Sequence, residues 1–331
     1  MKGIGIICVV WGHSGSPYGY LMFLFHMPLF FFVSGYLYKP RPDQSWLQNA
    51  VGRAKHLLIP YIFYLLLITV ILSVLALRAG QPLATAIDWK ALVLGGSMLA
   101  GAYGTFWFVT SLYVVQTAYD LLERKIQLWW VKFIILTGCY LVAYWESRFH
   151  QNVFVAWNVD VALFAISFYA LGHAFRSKKW LETFRAKSVL HTVAGVYSVS
   201  FFIAYAWHYV DFGLDLKHRQ YYYLGTSIFT PLAVTILLAG WSIWLSKWPL
   251  TGRLLGSMGR ASMPVMYLHL LTGLLIRRYI AITPFEFTVA GLGLPWLWYQ
   301  ICRSVPSLRL VALGQSAPGS GESVLKRSIG A

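Results

Sequence analysis

From Leu57 to Leu77 the chain carries no charged side chain, and runs of this kind recur along its length. A bilayer-spanning helix needs roughly 20 mostly apolar residues, because each residue rises 1.5 Å and the hydrocarbon core is about 30 Å thick. Comparable runs at 2–18, 19–38, 99–119, 129–146, 157–175, 189–209, 222–245, 262–281 and 285–302 predict about ten spans. Charged residues make up 11% of the chain and mean hydropathy is +0.60. A soluble domain carries about 25% charge. The expected fold is therefore an all-α integral membrane protein. Residues 80–98 read as an interfacial segment. Residues 1–313 are expected to form the transmembrane domain. The tail from Gly314 to Ala331 is rich in small and polar residues, a composition that favours disorder.

The formal charge of +16 points to membrane topology rather than to nucleic acid. Its basic residues sit in short clusters between apolar runs, the pattern of cytoplasmic loops. With ten spans and the N-terminus in the cytoplasm, 20 Lys and Arg fall on the cytoplasmic side and 7 on the other. That asymmetry predicts both termini inside, in a multi-pass protein of the bacterial inner membrane.

Cys8, Cys139 and Cys302 lie in or beside apolar runs, without metal spacing or obvious pairing, and read as small core residues. No metal is expected. Residues 1–13 hold one lysine, no small-residue cleavage pattern and a terminal histidine, which is a poor match to a signal peptide.

Histidines inside apolar runs are costly unless they face a cavity or a partner, so each marks a candidate functional site. At 1.5 Å per residue, His13 lies roughly 16 Å from Lys2, His26 roughly 20 Å from Lys39, His269 roughly 14 Å from Arg260 and Trp107 roughly 20 Å from Asp120. These four residues share one slab of the membrane. After His13, Ser14-Gly15-Ser16-Pro17 cannot continue a tight apolar helix. Irregular backbone at that depth is tolerated when it is buried in protein or lines a watery cavity. Asp160 is a second costly residue, set between Val159 and Val161. Asp215 and Lys217 lie in the opposite-side loop before the eighth span.

Blocks spread over the chain resemble the membrane acyltransferase 3 family, particularly its fucose 4-O-acetylase-like members. They are KGIGIICVVWGH, FHMPLFFFVSGYLYKP, RAKHLLIPY, GTFWFVTSLY, WNVDVALFAISFYALG, LGSMGRASMPVMYLH and RSVPSLRLVALG, in that order. Relatives carry an acidic residue and a few more residues before the basic position that Lys2 occupies here. Some also have an arginine where this chain has His56.

The resemblance implies transfer of acetyl from acetyl-CoA to a carbohydrate hydroxyl. Such a reaction needs a base, an anion-binding donor site and stabilisation of a developing oxyanion. His13 is the best candidate base, since imidazole titrates near neutral pH, and it could instead carry the acetyl group covalently. His26 is a candidate second acid/base or acceptor-positioning group, or else a buried histidine bonded to a carbonyl. Lys2, Arg53 and Lys55 are candidates for the CoA phosphates, or ordinary anchors at the membrane edge. Trp107, Asp160 and His269 are candidates for acceptor binding, against packing and structural hydrogen bonding. Two rivals stand beside this reading: a transporter or flippase for a lipid-linked glycan, with the histidines as a proton relay, and a succinyltransferase on the same fold.

Overall fold

A computed structural model of the chain describes residues 1–82, 88–182 and 184–315, with side chains except at 184–187. The described residues are helical apart from loops and one hairpin of two two-residue strands. In chain order the helices are α1 (Lys2–Gly12), α2 (Tyr20–Phe23), α3 (His26–Tyr36), α4 (Trp46–Arg78), α5 (Trp89–Leu94), α6 (Trp107–Lys125), α7 (Trp129–Phe149), α8 (Val161–Ser177) and α9 (Phe184–Ala206). The strands β1 (Leu214–Asp215) and β2 (Gln220–Tyr221) follow. Then come α10 (Thr226–Ser246), α11 (Pro249–Arg260), α12 (Ser262–Arg277), α13 (Pro284–Ser304) and α14 (Pro306–Leu313). Short 3-10 turns at Gly96–Met98, Gly101–Tyr103 and Ala156–Asn158 join them.

Among the described residues, four helical segments are both long and apolar enough to cross a membrane: Trp46–Arg78, Ala156–Ser177, Ser188–Ala206 and Thr226–Ser246. Two shorter apolar segments, Lys2–Gly12 and Tyr20–Tyr36, accompany them. The outer surface is apolar to match. Leu66 and Val70 on α4 and Phe133 and Ile134 on α7 are each at least 60% exposed. Trp129, Trp244 and Trp248 at one end of the bundle, and Trp207, Tyr209 and Tyr279 at the other, resemble the aromatic belts of a membrane protein.

Several expected spans are shorter or interrupted. The run 2–18 is helical only to Gly12, because Ser14 to Pro17 leave the helix. The run 19–38 breaks at Leu24–Phe25, and α3 begins afresh with Pro28 in its first turn, where its missing N–H is harmless. The run 99–119 starts as a 3-10 turn and becomes an α-helix at Trp107. The expected interfacial segment contains α5 and a 3-10 turn, while its residues 83–87 lie outside the described residues. So does the tail from residue 316.

Small residues let the central helices approach closely. A Cβ on Gly35 would sit 1.9 Å from the Tyr169 carbonyl oxygen, and one on Gly172 would sit 2.0 Å from that of Phe32, so α3 and α8 cross backbone to backbone. A Cβ on Gly3 would lie 2.1 Å from the Leu255 oxygen, which seats the start of α1 on α11. The core around these crossings includes Leu29, Phe31, Phe32, Phe106, Phe164 and Phe168, all buried.

Candidate active site

Helix α1 stops at His13 because its last turn is capped from within. Ser14 Oγ donates to the Trp11 carbonyl at 2.7 Å, and the Ser16 amide donates back to Ser14 Oγ at 3.2 Å. Gly15 takes φ +81°, a conformation a side chain would strain. From α12, Arg277 Nη2 donates to the Ser14 carbonyl at 2.6 Å. The break is therefore a held turn that presents His13 at the end of a half-length helix.

Three histidines converge there. His13 lies 5.2 Å from His269 and 6.5 Å from His26, centroid to centroid, and Phe23 stands 5.1 Å from both His13 and His26. Each imidazole places Nδ1 on the carbonyl four residues earlier: His13 on Val9 at 2.9 Å, His26 on Met22 at 2.5 Å and His269 on Val265 at 2.9 Å. A carbonyl only accepts, so Nδ1 carries the hydrogen and Nε2 is left with its lone pair. In His269 that Nε2 is buried without a partner among the described residues.

His13 and His26 line a cavity of about 380 Å³ together with Trp107, Thr105, Met266 and the β1–β2 hairpin residues Asp215, Lys217 and His218. The hairpin is held in place from behind. Asn158 Nδ2 donates to the Lys217 carbonyl at 2.7 Å, and Lys217 Nζ donates to that of Leu99 at 2.5 Å. Arg219, buried, pairs with Asp160 at 2.7 Å and Glu146 at 2.9 Å and donates to the carbonyls of Gln151 and Val153. Asp215 accepts from the ring and backbone of His218 at 2.8 and 3.2 Å. Burial pushes the Asp215 carboxyl up, but the hydrogen bond and charge of His218 and the hairpin amides outweigh it and hold the group below its ordinary value. Burial pushes the Lys217 ammonium down, against the pull of Asp215.

At the other end of the bundle lie two cavities that share Lys2, Leu37 and His56. One, of about 380 Å³, is lined by Lys2, Lys39, Arg41 and Arg53. The other, of about 610 Å³, has walls of small residues, among them Ser242, Gly252, Gly256 and Gly259. Arg53 is oriented by Asp120 at 3.2 Å, which also takes Arg124 at 2.9 Å and the Tyr38 hydroxyl at 2.7 Å. The second terminal nitrogen of Arg53, Nη1, is buried and has no partner among the described residues. The small-residue cavity, which adjoins the basic one through Lys2, Leu37 and His56, comes close to the histidine cavity on α12, where Met263 lines one and Met266 the other. Three residues of helix are about 4.5 Å along its axis.

A family model described as an acyltransferase domain matches residues 1–307. The chain belongs to this acyltransferase family. The acyltransferase is also 31% identical over 127 residues to nodulation protein NolL of Mesorhizobium japonicum, covering 34% of this chain and 32% of the relative. It is 32% identical over 143 residues to nodulation protein NolL of Sinorhizobium fredii, covering 38% and 37%. The aligned part thus spans about a third of the length of these curated relatives. No solved structure matches the chain.

The acyltransferase brings His13, His26 and Trp107 to one cavity, with His269 behind His13. Lys2 and Arg53 line the basic cavity, whereas Lys55 is exposed and lines neither. Asp160 stands away from the histidines, paired with Arg219 behind the hairpin. No group of three or more potential metal ligands forms among the described residues. Sequence reasoning missed His218, Arg219 and Asp120. Asp215 and His218, three residues apart in a short polar loop, were the available signal for the first of these.

Proposed function

We propose that this protein is a ten-span O-acetyltransferase of the bacterial inner membrane, with both termini in the cytoplasm and residues 1–313 as one transmembrane domain. It moves acetyl from cytoplasmic acetyl-CoA to a carbohydrate hydroxyl of the cell surface or an exopolysaccharide. The observation that supports this reading is the Nε2 lone pair of His13, left free by its Nδ1 bond at a cavity that lies about one helical turn along α12 from the small-residue cavity adjoining the basic donor site.

The CoA phosphates bind Lys2 and Arg53, Arg53 offering its unpartnered Nη1 in a charge-assisted bond. Lys55 adds positive charge at the entrance. The acetyl end passes the α12 septum toward His13. The acceptor enters from the opposite face, stacked on Trp107, and Asp160 supports it indirectly by holding the hairpin. His13 Nε2 takes the proton of the acceptor hydroxyl as its oxygen attacks the acetyl carbonyl carbon. The carbon–sulfur bond breaks, and the proton goes to the departing CoA thiolate. The covalent route uses the same nitrogen: Nε2 attacks the acetyl carbon, the carbon–sulfur bond breaks and CoA leaves as thiolate, and the acceptor hydroxyl then displaces the imidazole, its proton passing through the freed Nε2 to the thiolate. His26 orients the hydroxyl, and His269 accepts from His13 once both of its ring nitrogens carry hydrogen.

The test is purified protein with acetyl-labelled acetyl-CoA and a saccharide acceptor. Wild type transfers label, and His13→Ala loses about a thousandfold, within the range of general acid–base contributions. Activity within tenfold of wild type in a folded His13→Ala protein would remove His13 from the reaction. Label retained on the protein without acceptor would select the covalent route.

A further inference from the structure

A second void, of about 440 Å³, opens beside the histidine cavity and shares His13, Gly101 and Leu270 with it. Its charged lining consists of Arg277 and Arg278. Arg277 is fixed: it donates to Ser14, and its guanidinium lies 4.9 Å over the Phe287 ring. Arg278 is exposed at the end of α12 and has no carboxylate partner among the described residues. Two carboxylates on neighbouring elements are already engaged. Glu286 accepts from the Thr283 amide and hydroxyl at 2.7 and 2.8 Å, and Asp215 accepts from His218. In the adjoining histidine cavity, Lys217 adds a further positive charge. Asp215 balances one of these three cations, which leaves the cleft with a net positive charge leading directly to His13.

From this we infer that the acceptor is an anionic saccharide, and that Arg278 is the group that takes its carboxylate or phosphate oxygens. The inference rests on the acetyltransferase reading and names the acceptor class of the same site. A guanidinium presents a planar fork that suits a carboxylate bidentately. Held there, with Arg277 anchored to Ser14 beside it, a sugar ring would extend into the cleft and turn a hydroxyl toward His13. A neutral sugar would leave Arg278 without that partner, so the site discriminates by charge.

The experiment uses the full chain in phosphatidylcholine nanodiscs, with 4-nitrophenyl β-D-glucuronide and its uncharged counterpart, 4-nitrophenyl β-D-glucoside. Binding of each is measured by equilibrium dialysis, and acetyl-CoA consumption is measured in parallel. The glucuronide should bind at least tenfold more tightly, with an affinity that falls as salt rises. Arg278→Gln should cost about tenfold for the glucuronide and leave the glucoside unchanged, and Arg278→Lys should restore part of the loss. Equal binding of the two glycosides, no glucuronide binding, or an indifferent Arg278→Gln overturns the inference. So does displacement of the glucuronide by phosphatidylglycerol added to the nanodiscs, which would assign the arginine to lipid phosphate. Arg278-dependent binding without acetyl movement would sustain the anion site and sink the acetyltransferase reading. Equal acetylation of both glycosides would do the reverse.

Discussion

His13 and His269 meet edge to face at 5.2 Å, and each commits its Nδ1 hydrogen to the carbonyl one turn earlier. The Nε2 of His269 is therefore an acceptor with nothing to accept from until its neighbour gains a proton. A buried acceptor left open costs roughly 1–3 kcal/mol, so its retention beside the candidate base is best explained by use.

His269→Phe keeps the ring and removes the acceptor. The expected outcome is a kcat lower by about tenfold to a hundredfold, the rate equivalent of one such hydrogen bond, with both KM values near wild type. Steady-state kinetics with each substrate varied in turn checks it. A change confined to KM would make His269 a packing residue.

Arg53 makes one ion pair with Asp120 and holds a second nitrogen in reserve. Arg53→Ala should raise the apparent KM for acetyl-CoA by at least tenfold, because a charge-assisted hydrogen bond is worth about 1.5–3 kcal/mol. Lys55→Ala should raise it less than threefold at low salt and not at all at high salt, as a solvent-exposed charge is screened. Equal effects from the two variants would make the basic cavity a general electrostatic funnel rather than a phosphate site.

Much of the histidine cavity was legible because depth along a helix is simple arithmetic. Counting from Lys2, Lys39 and Arg260 put His13, His26 and His269 in one slab, and the structure brings their rings together. The Ser14–Pro17 break was legible from composition. What escaped were pairings between distant segments. Nothing local to Asp160 announces Arg219, and nothing local to Arg53 announces Asp120, since each partner is set by which helices are neighbours. The interruption at Leu24–Phe25 was hidden by its apolar side chains, and Pro28 was the trace it left. Helix α11 was masked differently. PLTGRLLGSMGR is too polar to read as a span, yet its proline at the first position and one-sided apolar pattern suit a short helix packed on α1.

Asp160 and Glu146 grip the same guanidinium but are unequal partners. The Asp160 side chain is 8% exposed and that of Glu146 is 18%. Removing one member of a buried pair costs about 3–5 kcal/mol, and a wetter one costs less. Asp160→Asn should therefore lower the thermal unfolding temperature more than Glu146→Gln. It should also raise the acceptor KM, because the hairpin bearing Asp215, Lys217 and His218 loses its anchor. A stable Asp160→Asn protein with an altered acetyl-CoA KM instead would move Asp160 from the hairpin to the donor side.

The donor and acceptor assignments both depend on which end of the bundle faces the cytoplasm. With ten spans and the N-terminus inside, 20 of the 27 Lys and Arg are expected on the side that carries Lys2 and Arg53. Short loops rich in these residues stay on the cytoplasmic side. A green fluorescent protein fused after Ala331 should then fluoresce, since this reporter folds in the cytoplasm. In a background without the three native cysteines, a cysteine at exposed Tyr279 should react with a membrane-impermeant maleimide in intact spheroplasts, and one at exposed Trp248 should react only after lysis. A dark fusion with the labelling reversed would invert the protein. It would turn the basic cavity away from cytoplasmic acetyl-CoA and leave the arginine-lined cleft facing the cell interior.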